Sequence, residues 1–348
     1  MVFAPTLRDD ERDLFERELD GFVPPVVFDA HAHLYDRNHF GPDSFVRPYI
    51  DNIPPRVTLA DYRVYVGRML PKRRIDGLFI PMALDGDPAT VNGFVADQVR
   101  SEPRCRGAMI VRPEMDADDV RQEARRLGAV GLKCYHLLSA RPRTSGGEQA
   151  GPAAPSGPTW NVDIPSYLPE AFVRVADEMD LTITLHLVKS RALADRTNQE
   201  VIRHYCRSYP RMRMILAHAA RGFNPHHTIE GIAALAGLPN VWFDTSAVTE
   251  CGAFEAILDA FGPERLLYGT DFYVSHFRGR CVAIGDSFIW LYEDSVDWSS
   301  AAHADLQPIL IGLESLRCLK LAARHARLND RQVEDIFYGN AARLFGLE

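Results

Sequence analysis

Two histidines separated by one residue, His31 and His33, stand in the run FDAHAHLYD. Successive side chains on a strand alternate between its faces, so these two share a face, and Asp29 is expected on it with them. Paired imidazoles at a strand end can hold one metal ion, and the ordinary alternative is a pair of solvated loop histidines. Four more residues of similar chemistry end apolar runs: Lys133 in VGLKCYH, His186 in LTITLHL, His218 in MILAHAA and Asp271 directly after LLYGT. Any one such histidine is more often a core residue with a satisfied hydrogen bond. Together, imidazole nitrogens and a carboxylate suit Zn²⁺ or Mn²⁺, and a bound ion lowers the pKa of water to about 7. That chemistry requires an architecture that brings residues as distant as 31 and 271 to one place.

The pattern of apolar runs supplies one. Strands are expected over Val26–His31, Gly77–Pro81, Arg106–Val111, Gly131–Tyr135, Leu181–His186, Met212–His218, Val241–Asp244 and Leu266–Gly269, each short and apolar enough to be buried on both faces. Helices are expected between them, over Thr58–Arg68, Ala89–Arg100, Asp116–Leu127, Leu168–Glu178, Asn198–Ser208, His227–Ala236 and Gly252–Phe261. Two more are expected after them, over Ile309–Ala326 and Arg331–Phe337. This alternation predicts an α/β fold, a distorted (β/α)8 barrel, although an open doubly wound sheet has the same local pattern. In a barrel the C-terminal strand ends share one rim, where His31, His33, Lys133, His186, His218 and Asp271 would meet. Two segments interrupt the rhythm after strands four and eight. Leu138–Ile164, rich in Gly, Pro, Ser and Ala, reads as a long mobile loop, and the aromatic stretch from Phe272 to about Gln307 reads as an ordered lid. A single domain over residues 1–348 is expected.

In their order along the chain, His31-x-His33, Lys133, His186, His218 and Asp271, with the terminal DIFYGNAARLFGL, the residues resemble the amidohydrolase superfamily. The resemblance is to the amidohydrolase-related branch that includes aminocarboxymuconate-semialdehyde decarboxylase, and it covers nearly the whole chain. It implies a divalent metal on the rim, held by His31, His33, His186 and Asp271, with His218 left to transfer protons or polarise the substrate. Asp271 would also accept the proton of the attacking water. In binuclear members of the superfamily a strand-four lysine is carboxylated and bridges two ions, which here would make ligands of Lys133 and His218. The reading favours one ion, zinc before manganese, with Lys133 unmodified and available to a substrate carboxylate. The expected activity is hydrolysis of an amide, lactone or related bond in a small polar or carboxylated molecule. The alternatives are a non-oxidative decarboxylase on the same site and, third, a catalytically silent binding protein.

Arg221, in HAARGF, is a second candidate for a substrate carboxylate, because its planar fork matches that group. Tyr35, Tyr135, His276 and Arg278 are weaker candidates that can equally line or brace loops. His226 and His227 read as a cap-region pair, and His39, His204, His303 and His325 receive no role. Cys134 falls on the opposite strand face from Lys133, against a nucleophilic role.

Composition narrows the partners. A net charge of −8 opposes broad attraction to nucleic acid or anionic membranes, so a small-molecule substrate is expected, and a homo-oligomer is compatible with the sequence. The longest apolar runs, Leu181–Val188 and Met214–Ala220, fall far short of a membrane span, and the charged N-terminal stretch lacks the apolar core of a secretory signal. The six cysteines are scattered without a CxxC pair, which points to reduced thiols and a cytoplasmic setting.

Overall fold

A computed structural model describes residues 1–41, 50–82, 86–139, 159–298 and 307–347. The strands are β1 (Val26–Asp36), β2 (Arg56–Val57), β3 (Arg74–Pro81), β4 (Arg106–Ile110), β5 (Gly131–Cys134), β6 (Thr182–Leu185), β7 (Arg213–Leu216), β8 (Val241–Asp244) and β9 (Leu266–Leu267). From β1 through β3 to β9 every neighbouring pair is parallel, and β2 adds an antiparallel flap to β1. Three backbone hydrogen bonds join the two ends of this curled sheet: Ala30 N–H to Tyr268 O, Asp271 N–H to His31 O and His33 N–H to Phe272 O. They make it a distorted α/β barrel, which local periodicity left undecided against an open sheet.

All eight expected parallel strands are present. Most end earlier than expected because the chain bends at the rim as soon as its ladder partners run out. The first instead runs five residues longer, because β3 and β2 continue to pair with it as far as Asp36.

Helices α1 (Asp9–Leu14), α2 (Leu59–Met69), α3 (Pro88–Val99), α4 (Ala117–Leu127), α5 (Glu170–Glu178), α6 (Arg196–Ser208), α7 (Pro225–Gly231) and α8 (Cys251–Phe261) surround the sheet or lie at its ends. Their starts follow capping chemistry. Thr58 and Asp61 form a reciprocal capping box on α2, while Asp87, Asp116 and Asp195 cap α3, α4 and α6. After the barrel come α9 (Ile311–His325), α10 (Asp330–Glu334) and, beyond a π-helical turn, α11 (Asn340–Phe345).

Strand alternation sorts the core into two layers. Phe28, Ala30, Leu78, Ile80, Ala108, Ile215 and Leu267 point into the barrel, where Ala341 and Leu344 of α11 pack on them. Arg213 and Arg106, at the N-terminal ends of β7 and β4, donate to the carbonyls of Leu344 and Gly346, so α11 plugs the bottom of the barrel. Val27, Phe79, Met109, Leu132, Ile183, Met214 and Phe243 face outward onto the helices. With the lower interior filled by hydrocarbon, polar inward residues are left to the upper rim.

Of the two interrupting segments, 140–158 and 299–306 lie outside the described residues. The described part of the second contains an antiparallel hairpin, β10 (Gly279–Ile284) with β11 (Ser287–Tyr292). Asn224 donates to the carbonyls of Gly285 and Ser287, and His227 pairs with Asp286, so α7 holds the hairpin tip. That gives His227 a bracing role.

Candidate metal centre

His31 and His33 enter the rim from the end of β1, and Asp271 from the turn after β9. Asp271 Oδ1 lies 3.3 Å from His33 Nε2 and 3.9 Å from His31 Nε2. These three side chains form a cluster able to hold a metal ion, and His31, His218 and Asp244 form a second that shares His31. The far nitrogen of each β1 imidazole is occupied. His31 Nδ1 lies 2.9 Å from Asp244 Oδ2, and His33 Nδ1 lies 3.3 Å from the Ile80 carbonyl. With its proton on Nδ1 the His31 ring presents a bare Nε2 toward Asp271, and His33 Nε2 stands in hydrogen-bond contact with the same carboxylate; outer partners of this kind orient metal-binding histidines. Gly269 permits the close approach, since a Cβ there would stand 3.1 Å from His31 Cβ and 3.3 Å from Ser246 Cβ.

Asp29 does not join them. The β1–β3 register shifts between Asp29 and Ala32, and this irregularity turns Asp29 away from the face that carries His31 and His33. Its carboxylate accepts from Tyr62 Oη on the outer helix α2 and from Thr270 N–H and Oγ1. Asp29 therefore ties the first strand to the last, and strict alternation was the wrong guide across a bulge.

Asp244, which sequence reasoning passed over, sits at the centre of the site. It is fully buried, and its Oδ1 accepts from His218 N–H at 2.8 Å, Ser246 N–H at 3.1 Å and Ser246 Oγ, while Oδ2 holds His31. The available signal was an acid ending the otherwise apolar strand VWFD.

His218 opens a left-handed turn. His218, Ala219, Ala220 and Arg221 all have φ between 51° and 61°, which costs about 1–2 kcal/mol for each non-glycine residue. The turn is held by Gly222 N–H on the His218 carbonyl, by Thr228 Oγ1 on the Ala219 carbonyl and by Asp244 on the His218 amide. Strain that the surroundings over-determine in this way is characteristic of functional sites. The His218 ring lies with its centroid 5.0 Å from His31 and 4.9 Å from His186, and its Nδ1 is 2.9 Å from the Ser246 carbonyl and 4.0 Å from Asp271 Oδ2.

His186 borders this group without entering the tight cluster. Its Nδ1 is buried and has no hydrogen-bond partner among the described residues, and the rings of Tyr135 and His136 lie 5.1 and 5.5 Å away. Lys133 is buried in the barrel interior, with Nζ 3.4 Å from His31 Nε2. Cys134 faces outward as expected, and burial pushes its thiol up to about 12.

The charge states suit metal binding. Burial, then the neighbouring Lys133, hold His31 at about 4, and burial with the facing His218 and His136 holds His186 well below the usual imidazole range. Both rings are therefore neutral at physiological pH. Burial pushes the Asp271 carboxyl up, but the hydrogen bond with His33 and the nearby imidazoles outweigh it and keep the group ionised. Burial likewise opposes ionisation of Asp244, and His31 and its other donors overcome it to leave the acid at about 2. Burial draws Lys133 downward, against Asp244 and Asp271. Neutral imidazoles, ionised carboxylates and the orphaned His186 nitrogen are what a divalent cation requires of its surroundings.

The weaker candidates separate. Tyr135 lines the site beside His186. Arg278 forks onto the buried Glu11, and His276 stacks on Phe3, so both brace the N-terminal segment against the barrel. Tyr35 is buried beside Tyr273. Arg221 stands at the rim with one Nη on the Lys189 carbonyl.

The family model described as amidohydrolase matches residues 28–347. A search of curated proteins found no match. Among solved structures, an amidohydrolase from Burkholderia multivorans with bound zinc superposes with a TM-score of 0.55 at 16% identity, covering 93% of this chain and 100% of that one. A probable 2-pyrone-4,6-dicarboxylic acid hydrolase from Acinetobacter baumannii with citric acid bound gives 0.53 at 14% identity, over 92% and 99%. A 2,6-dihydroxybenzoate decarboxylase from Rhizobium gives 0.51 at 14% identity, over 93% and 99%. Likeness at these identities concerns the fold.

Proposed function

The chain belongs to the amidohydrolase family, and from that premise we propose that it is a metal-dependent hydrolase acting on an amide, lactone or related bond of a small, carboxylated molecule. The observation that carries the proposal is the convergence of His31 Nε2 and His33 Nε2 on Asp271 Oδ1, with each far nitrogen held by Asp244 or the Ile80 carbonyl. His31, His33, His186 and Asp271 would hold one divalent ion, zinc before manganese. When bound, the ion supplies Lewis acidity and makes water acidic enough to lose a proton near neutral pH.

The protein's own groups do the rest. Asp271 receives the proton of the attacking water through the carboxylate oxygen that faces His218. His218, fixed by its strained turn, would give a proton to the leaving group and recover one from Asp271, whose Oδ2 lies 4.0 Å from its Nδ1. Lys133, held beneath His31, favours an anionic substrate by its charge. A cytoplasmic setting belongs to the same proposal, supported by six free cysteines. Among the described residues no helix is long and apolar enough to cross a membrane.

Elemental analysis after expression in metal-supplemented medium tests the centre. Occupancy near one ion per chain is expected, and less than about 0.2 would defeat the assignment. Changing both His31 and His33 to Ala should abolish retention. Product analysis then decides the chemistry: a released acid, alcohol or amine supports hydrolysis, and CO2 supports a decarboxylase on the same residues.

A further inference from the structure

The two edges of the β10–β11 hairpin are treated differently by the rest of the chain. Gly285, at a φ of 56°, and Asp286 form its two-residue loop, and the pairing runs without a bulge from Ile284–Ser287 to Gly279–Tyr292. Such a loop makes Ile284 and Ser287 a hydrogen-bonded pair, and bonded and non-bonded pairs alternate from there. Gly279, Cys281 and Ala283 on β10, and Phe288, Trp290 and Tyr292 on β11, therefore turn their N–H and C=O groups away from the hairpin.

The body of the protein covers the β10 edge. Gly279 N–H donates to the Ile309 carbonyl, Cys281 N–H to Thr249 Oγ1 and Ala283 N–H to the Glu250 carboxylate, while Thr249 Oγ1 donates to the Cys281 carbonyl. On β11, Ser295 takes the N–H and C=O of Tyr292, but among the described residues nothing bonds the N–H or C=O of Phe288 and Trp290. Free strand edges are ordinarily blunted by a lysine, a proline or a bulge, and SFIWLY has none of these. The Phe288 and Trp290 rings turn inward onto Phe223. Val282, Ile284, Ile289 and Leu291 lie on the other face, with Ile284 62% and Ile289 46% exposed.

The free groups fit a second copy of the same strand. About a two-fold axis through Ile289, Phe288 exchanges both its bonds with the partner subunit's Trp290, and Trp290 exchanges both with the partner subunit's Phe288, so every free donor and acceptor is satisfied. An axis through Phe288 would instead set Trp290 against the turn residue Asp286. With the axis at Ile289, each Ile289 meets its own counterpart in the non-bonded position, where side chains come closest, and Val282 extends the apolar row on either side. Charge permits the approach although the chain carries −8. Strand β11 is uncharged, and its bordering charges are paired within the chain: Asp286 with His227 and Arg191, Arg280 with Glu314, and Glu293 with Arg8.

We propose that β11 is a self-association edge, through which two copies of this chain join their hairpins into one four-stranded antiparallel sheet centred on Ile289. The association does not depend on the chemistry of the metal centre. A contact of four backbone bonds and one apolar row belongs among small interfaces, below about 1,200 Å² in total, so a dissociation constant in the micromolar range is expected.

Sedimentation velocity on the full chain, from about 1 μM to about 100 μM, brackets that range. A monomer giving way to a dimer is expected. Ile289→Lys, an exposed substitution that sets like charges across the axis, should weaken the dimer by about tenfold or more, and thermal melting shows that its fold is intact. Ile289→Cys should yield a disulfide-linked dimer on mild oxidation, because the two positions face each other across the axis. Val282→Cys, about 14 Å from its counterpart, should stay unlinked, as should the parent with its free cysteines. A parent that remains monomeric throughout the range overturns the proposal. So does a dimer that Ile289→Lys leaves within twofold of the parent, or one in which Ile289→Cys links no better than Val282→Cys, since either places the contact on another face.

Discussion

Replacing Asp244 with asparagine changes one oxygen into an amide nitrogen at the centre of the site. The carboxylate now accepts from His218 N–H, Ser246 N–H and Ser246 Oγ on one oxygen and faces His31 Nδ1 with the other. An asparagine can satisfy the first three with its carbonyl, but its NH2 then points at His31 Nδ1. Two donors cannot face each other at 2.9 Å, so the imidazole must offer a lone pair at Nδ1 and carry its proton on Nε2, the nitrogen aimed at Asp271. Loss of an outer partner of this kind typically lowers metal affinity by about 10- to 100-fold, or about 1.4–2.8 kcal/mol. Three bonds pass from a charged to a neutral acceptor at about 1 kcal/mol each, so a stability loss of about 2–3 kcal/mol accompanies it. Asp244→Ala should be worse, since it strands the buried amides of His218 and Ser246. Chelator competition gives the metal affinity and urea denaturation gives the stability. An Asp244→Asn protein that binds metal within twofold of the parent would show that His31 does not depend on Asp244 for its tautomer, and the proposed ligand geometry would fall with it.

Asp271→Asn should leave the fold intact and lower turnover by about 100-fold or more, because it removes both a ligand charge and a proton acceptor. Steady-state kinetics on any substrate found by screening will show it, and near-normal turnover would take Asp271 out of the mechanism. Leu344→Ala hollows the plug beneath the barrel and should cost about 2–4 kcal/mol in urea unfolding. A cost below about 0.5 kcal/mol would mean that the barrel floor holds without α11. The Asp87 carboxyl, held below its ordinary range by hydrogen bonds from Thr90, stabilises α3. Its contribution should therefore be full above about pH 4 and lost as the pH falls through the depressed folded value. Asp87→Asn keeps a capping oxygen without the titration, so acid unfolding of this variant should lose that part of its pH dependence.

The parallel strands and surrounding helices were legible because burial on both faces leaves short continuous apolar runs, and helix starts carry their own capping residues. His31, His33, His186, His218 and Asp271 were legible for a related reason: polar side chains at the ends of such runs have no place in a hydrocarbon core. Asp29 was misread because alternation cannot register a bulge, which arises from pairing with β3. Asp244 was overlooked because two of its four donors, His218 N–H and His31 Nδ1, come from distant segments. The aromatic stretch after the last strand was expected to be ordered, but its hairpin is held by α7, a partnership with no local trace.

By itself, then, the sequence determined which segments become strands and helices, in what order, and which of them end in ligand-type side chains, because these follow from short-range periodicity and chemistry. The tertiary structure alone decided that β1 meets the segment after β9, that α11 fills the barrel floor, and that Asp244 aims His31 at Asp271. It also decided that a strained turn carries His218 and Arg221 to the same rim. Those outcomes depend on contacts between residues far apart in the chain, formed only when barrel closure brings their backbones within hydrogen-bonding distance.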